Sequence, residues 1–182
     1  MVLKKYMLLL AAMCVLSFAE AHSPVPADSL RATEKKDRSA YLMVSQQLTL
    51  SAANDLSALV RAKALELGKQ VSVAVVDVNG QVILINRGDG VGPHNSEASR
   101  RKAYTALSTK TATLILAKNA KANPATENLA HLPELLLLGG GVPLYYQGNV
   151  IGAIGVSGGG GPENDDLIAR AAQLLEFELV AK

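Results

Sequence analysis

The chain reads as an α+β domain, an antiparallel sheet with helices packed on it. Two short loops, Asn79-Gly80 and Gly148-Asn149, each separate β-prone apolar runs and mark tight hairpins. Strands joined by such turns must be antiparallel. Apolar stripes at helical spacing flank the hairpins, giving the order helix, hairpin, helix, three strands, helix. That order lacks the strand–helix alternation of a doubly wound sheet.

Met1 to Ala21 reads as an address. Lys4 and Lys5 precede an apolar run from Tyr6 to Phe18, and Ala19-Glu20-Ala21 supplies the small residues of a signal-peptidase site. The run is short for a membrane span, and no second long apolar run follows. Cleavage after Ala21 predicts a periplasmic or secreted protein. It also removes Cys14, the one cysteine, and with it any disulfide, thiol nucleophile or Cys-zinc site. Residues 22–40 carry Pro24, Pro26 and many charges and read as a flexible leader; 41–182 reads as a single domain. The net charge of +2 gives no footprint for nucleic acid.

Within the domain, Tyr41 to Leu50 is extended or mixed. Ala52, Leu56, Leu59, Val60 and Leu67 form one apolar stripe, which predicts a helix over Ser51 to Leu67 closed by Gly68. Val71 to Val78 and Gln81 to Asn86 are the first hairpin. The loop Arg87 to Asn95 is rich in glycine, and Ser96 is placed to cap a helix from Glu97 to Thr109 that resumes through Leu116. Lys118 to His131 reads as a connector. Strands are expected at Leu135 to Leu138, Pro143 to Gln147 and Val150 to Ser157. A final helix is expected from Glu163 to about Val180, packed through Ile168, Ala171, Ala172, Leu175 and Leu179.

Gly155-Val156-Ser157-Gly158-Gly159 matches the nucleophile-elbow pattern, but such hydrolases place their histidine after the serine, and none follows His131. The glycines from Gly152 to Gly161 form neither a dinucleotide fingerprint nor a P-loop. Glu163, Asp165 and Asp166 suit the dipole of the helix they open and repel a phosphate. Gly140, Gly141, Gly158 and Gly159 stand as a glycine-rich pocket edge or as turn chemistry alone. His94, Glu97 and His131 are the metal-ligand types worth grouping, without a zinc spacing.

The helix after His94 is the most informative segment. Ala98, Ser99, Lys102, Ala103, Thr105 and Ala106 make one small-residue face; Glu97, Arg100, Arg101, Tyr104 and Ser108 lie on the other side. Lys102 is the one charge on the small face. Two readings stand, an alkyl stem that snorkels to water or an ammonium at a pocket edge that meets a ligand carboxylate. Glu97 and Arg101 have the i,i+4 order of a surface ion pair. His94 sits on a loop, where functional groups are often carried.

The blocks Val73-Ala-Val-Val-Asp77-Val-Asn-Gly80, Asp89-Gly90, Lys102-Ala-Tyr-Thr-Ala106, Gly140-Gly141-Val-Pro143 and Gly152-Ala-Ile-Gly155-Val-Ser-Gly158 resemble the GlcG/HbpS-type family. That family is similar to the C-terminal domain of PduO-type corrinoid adenosyltransferases. The resemblance covers about residues 45 to 180. It implies a profilin-like α-β-α sandwich around a five-stranded antiparallel sheet, assembled as a homo-oligomer. It also implies haem as a cofactor, since some members bind haem and some are described as haem-degrading or redox-responsive. By proximity, His94 or Tyr104 is the candidate axial ligand, with Arg100, Arg101 or Lys102 near the propionates and Glu97 beside them. Four Tyr and one Phe beyond Ala21 are few for gripping a porphyrin within one subunit, which places a haem site at a subunit interface. A non-enzymatic, exported haem-binding protein is the first expectation. A small-carboxylate or hydroxy-acid protein or enzyme using Lys102 and His94 is the second. An oligomeric interaction scaffold is the third.

Overall fold

The computed structural model describes residues 41–182, and Ser45–Lys182 fold as one unit. The expected signal peptide and leader lie outside the described residues. Helix α1 (Leu50–Glu66) begins where the Thr49 hydroxyl accepts the Ala52 N–H at 3.2 Å, and it ends at Gly68, which takes φ +65°. Its buried stripe is Ala53, Leu56, Ser57, Val60 and Ala64. The expected stripe was therefore rotated: Leu56 and Val60 hold, while Leu59 and Leu67 face outward because the smaller residues let α1 lie close to the sheet.

Strands β1 (Ser72–Asp77) and β2 (Val82–Arg87) form the first hairpin. The Asp77 carboxylate accepts the Asn79 and Gln81 N–H groups at 2.8 and 2.9 Å, and Gly80 takes φ +81°. Helix α2 (His94–Thr109) follows, then α3 (Thr113–Ala122) and a 3-10 turn (Glu127–His131). Strands β3 (Gly141–Tyr146) and β4 (Asn149–Ser157) make the second hairpin. Its turn residues are Gln147 and Gly148, both at positive φ, one position before the expected pair. Helix α4 (Pro162–Ala169) and β5 (Leu179–Ala181) complete the chain. The sheet is antiparallel throughout, in the order β2-β1-β4-β3-β5.

Two expected elements are corrected. Leu135 to Leu138 is not a strand, because side chains of the neighbouring helices take its backbone groups. Arg101 donates to the Leu135 carbonyl at 2.6 Å, the Leu136 N–H donates to Thr105 Oγ1 at 2.8 Å, and Thr113 Oγ1 donates to the Leu138 carbonyl at 2.8 Å. The last helix stops at Ala169 rather than Val180. Leu179–Ala181 instead pair with Leu144–Tyr146, covering a β3 edge that would otherwise present unpaired backbone groups. Of the face expected on that helix, Ile168 and Ala172 are buried and Leu175 is exposed. The fifth strand is thus C-terminal.

Strand alternation divides the core into two layers. Val73, Val75, Val142, Leu144, Ile154 and Val156 meet Leu56 and Val60 of α1 and Ile168 and Ala169 of α4. On the opposite face, Val76 and Ala153 meet Ala103 and Ala106 of α2. Register shows why α2 sits so deep there: Ala74, Gly155 and Gly141 stand side by side across three strands. They leave a trough without bulky side chains, and the small face of α2 fills it.

Candidate functional site

Helix α2 presents two faces with different chemistry. The inner face, Ser99, Lys102, Ala103, Thr105 and Ala106, is buried as its residue sizes predict. A Cβ placed on Gly155 would overlap the Ser99 carbonyl oxygen, and one on Gly141 would overlap that of Lys102. These glycines exist so that helix backbone can touch strand backbone.

Lys102 corrects both sequence readings, for it neither reaches water nor rims an open pocket. It is 0 % exposed. Its Nζ donates to Asp165 Oδ2 at 2.7 Å and to the Val156 carbonyl at 3.0 Å. The side chain passes Gly140, where a Cβ would stand 3.2 Å from Nζ. Asp165 Oδ1 also accepts the Gly159 N–H at 2.6 Å. Lys102 therefore ties α2 to α4 and to the glycine loop in one buried cluster. Gly140, Gly141 and Gly159 are packed within or against that cluster, whereas Gly158, at φ +107°, is exposed at the strand end.

Burial pushes the Lys102 ammonium below its ordinary value of 10.5, while the Asp165 charge and hydrogen bond pull it back up. Between its folded-state value and 10.5 the unfolded chain binds more protons, so stability rises with pH across that window. Urea titrations at stepped alkaline pH should show this rise in the native protein and lose it in Lys102→Met.

The outer face carries the remaining candidates. Pro93 precedes the helix, so His94 stands in its first turn rather than on the loop, and Ser96 is not the cap. The His94 imidazole is exposed and makes no hydrogen bond among the described residues. Glu97 does not pair with Arg101. It holds Arg100 through two hydrogen bonds of 2.9 and 2.7 Å, and Arg100 also reaches Glu134 at 2.9 Å. The Arg100 hydrogen bond lowers the Glu97 carboxyl below its usual range, and the two carboxylates raise the Arg100 guanidinium. Arg101 turns to the Leu135 carbonyl, and its buried Nε has no partner among the described residues. Half-buried Tyr104 covers the hairpin turn, since a Cβ on Gly80 would stand 2.9 Å from its ring.

The structure thus brings His94, Glu97, Arg100, Arg101 and Tyr104 onto one helix flank and sends Lys102 into the core. His131 lies on the 3-10 turn. Among the described residues no group of three or more His, Cys, Asp or Glu could hold a metal ion. Sequence reasoning missed Asp165 and Glu134 as partners. The signal for Asp165 was there: a lone cation on a face otherwise built for close packing needs a buried anion.

Residues 48–173 match the family model described as haem degrading protein HbpS-like. A 15.0 kDa Citrobacter freundii protein from the dhaT-dhaS intergenic region is 38% identical over 133 residues, which span 70% of this chain and 93% of that protein. A double mutant of Streptomyces reticuli HbpS is 39% identical in structural alignment, with a TM-score of 0.67 over 72% of this chain and 88% of that one. The PduOC–haem complex is 31% identical, with a TM-score of 0.63 over 70% and 93% of the two chains. With residues 48–173 matched by that model, the chain belongs to the HbpS-like family.

Proposed function

We propose that this protein is an exported haem-binding protein that holds haem on the outer face of α2. The observation that carries the reading is the likeness to the PduOC–haem complex, along 93% of that chain, joined to an exposed His94 without a hydrogen-bond partner. The donor set fits. An imidazole nitrogen suits haem iron, and half-buried Arg101 carries a guanidinium on the same flank. His94 and Arg101 are two helical turns apart on one flank, about 10 Å along the axis, and would hold the iron and a propionate respectively. Bound haem would supply the redox and ligand-binding chemistry of its iron; the chain's part is to bind and orient it.

His94 is preferred to Tyr104 as iron ligand because Tyr104 is packed on the hairpin turn. Tyr145 and Tyr146 lie on β3 and Phe177 precedes β5, so α2 itself carries no second aromatic side chain. A second copy of the chain is the natural source of the opposing wall, and a homo-oligomer is part of the proposal. Export to the periplasm or the medium rests on the Met1 to Ala21 pattern. Binding rather than catalysis is favoured because the buried lysine is occupied by Asp165. The same observation weakens the small-acid reading that assigned Lys102 to an anion.

A Soret titration of the purified protein tests the proposal. A saturable shift is expected that Tyr104→Phe preserves and His94→Ala abolishes. Absence of a shift in the native protein, or an unchanged spectrum in His94→Ala, overturns the site.

A further inference from the structure

A cleft of about 310 Å³ lies between α3 and the 3-10 turn, lined by Ala117, Ala120, Lys121, Glu127, Ala130 and Leu137. Its shape follows from helical spacing. On α3, Ala117, Ala120 and Lys121 share one side, three and four residues apart. On the 3-10 turn, Glu127 and Ala130 eclipse each other at a spacing of three. Alanines on both walls leave the space open, and Leu137 adds an apolar surface.

Chain order puts both charges toward the loop that joins the two walls of the cleft. Lys121 is in the last turn of α3 and Glu127 opens the 3-10 turn, with only the short Pro124 loop between them. Both are exposed, and neither makes an ion pair among the described residues. Opposite charges toward that loop and an apolar channel beyond them match a small zwitterion with an apolar tail. The cleft lies within the size range of small-ligand sites.

We propose that this cleft binds a free apolar α-amino acid, its carboxylate on Lys121, its ammonium on Glu127 and its side chain along Ala117, Ala130 and Leu137. The site is independent of the outer face of α2, so its failure and that of haem binding are separable.

Isothermal titration with L-leucine, isovalerate and isoamylamine tests it. L-Leucine should bind saturably at millimolar concentration, and each analogue lacking one charge should bind at least about tenfold more weakly. Lys121→Met should remove binding, and Glu127→Gln should weaken it by about tenfold. Ala130 is exposed, so Ala130→Phe fills the cleft without entering the core; with an unchanged circular dichroism spectrum it should abolish binding. His94→Ala should leave L-leucine binding intact. No saturable heat with L-leucine, equal binding of isovalerate, or full binding by Ala130→Phe overturns the proposal.

Discussion

Lys102→Met is expected to destabilise the protein by about 3–5 kcal/mol, measured by urea unfolding at neutral pH, because it strands Asp165 as a buried, unpaired carboxylate. The magnitude follows from the geometry. Lys102 is wholly enclosed and Asp165 nearly so, at 6% side-chain exposure, so neither charge has water as an alternative partner. Asp165→Asn should be costly for the mirror reason, since it leaves an ammonium with a neutral partner in the same space. The pair itself need not be strongly stabilising, because the attraction between the ions is offset by the cost of taking both out of water. The variant Lys102→Met with Asp165→Leu should therefore recover much of what each single change loses. A double-mutant cycle reads that coupling directly. Small and additive single effects would mean that the cluster is solvated and does not join α2 to α4.

Gly155→Ala should be comparably severe, about 3 kcal/mol or more, by overpacking. The added methyl would meet the Ser99 carbonyl oxygen and the Ala103 nitrogen, which are helix backbone and cannot rotate aside. Either α2 lifts from the sheet, opening the layer that contains Lys102, or β4 buckles. Gly148→Ala is the useful control. Unlike Gly155, Gly148 takes positive φ, at +81°, and nothing stands within 4 Å of its added Cβ. It should cost only the left-handed penalty, about 1–2 kcal/mol. A loss at Gly155 no larger than that at Gly148 would show that the close approach of α2 does not set a large cost there.

The parts of the fold that rest on local chemistry were legible. Asn79-Gly80 announces a hairpin because glycine there adopts a conformation that other residues resist, and Asp77 reinforces it from within the same turn. The small face of α2 was also readable, since close packing demands small residues at helical spacing. The misread elements depend on distant partners. Leu135 to Leu138 looks like a strand because four leucines say nothing of the Arg101, Thr105 and Thr113 side chains that take its backbone groups. Leu174 to Ala181 continues a plausible helical stripe, and only the bare edge of β3 makes a strand the better use of Leu179 to Ala181. Lys102 shows the same limit: its face was recognised, but its anion lies 63 residues away on another helix. Glu97, Arg100, Arg101 and Tyr104 do lie away from the buried small-residue face, but Glu97 pairs with Arg100 rather than with Arg101.

On the proposed reading α2 divides its work, with the inner face holding the fold and the outer face holding the ligand. Haem affinity and unfolding temperature measured together in Lys102→Met and His94→Ala test that division most directly. His94→Ala should lose the Soret shift and keep its unfolding temperature, since His94 is exposed and makes no hydrogen bond among the described residues. Lys102→Met should unfold at a lower temperature, yet its folded fraction should bind haem with the native spectrum. Loss of haem binding by folded Lys102→Met, with binding retained by His94→Ala, would contradict that reading.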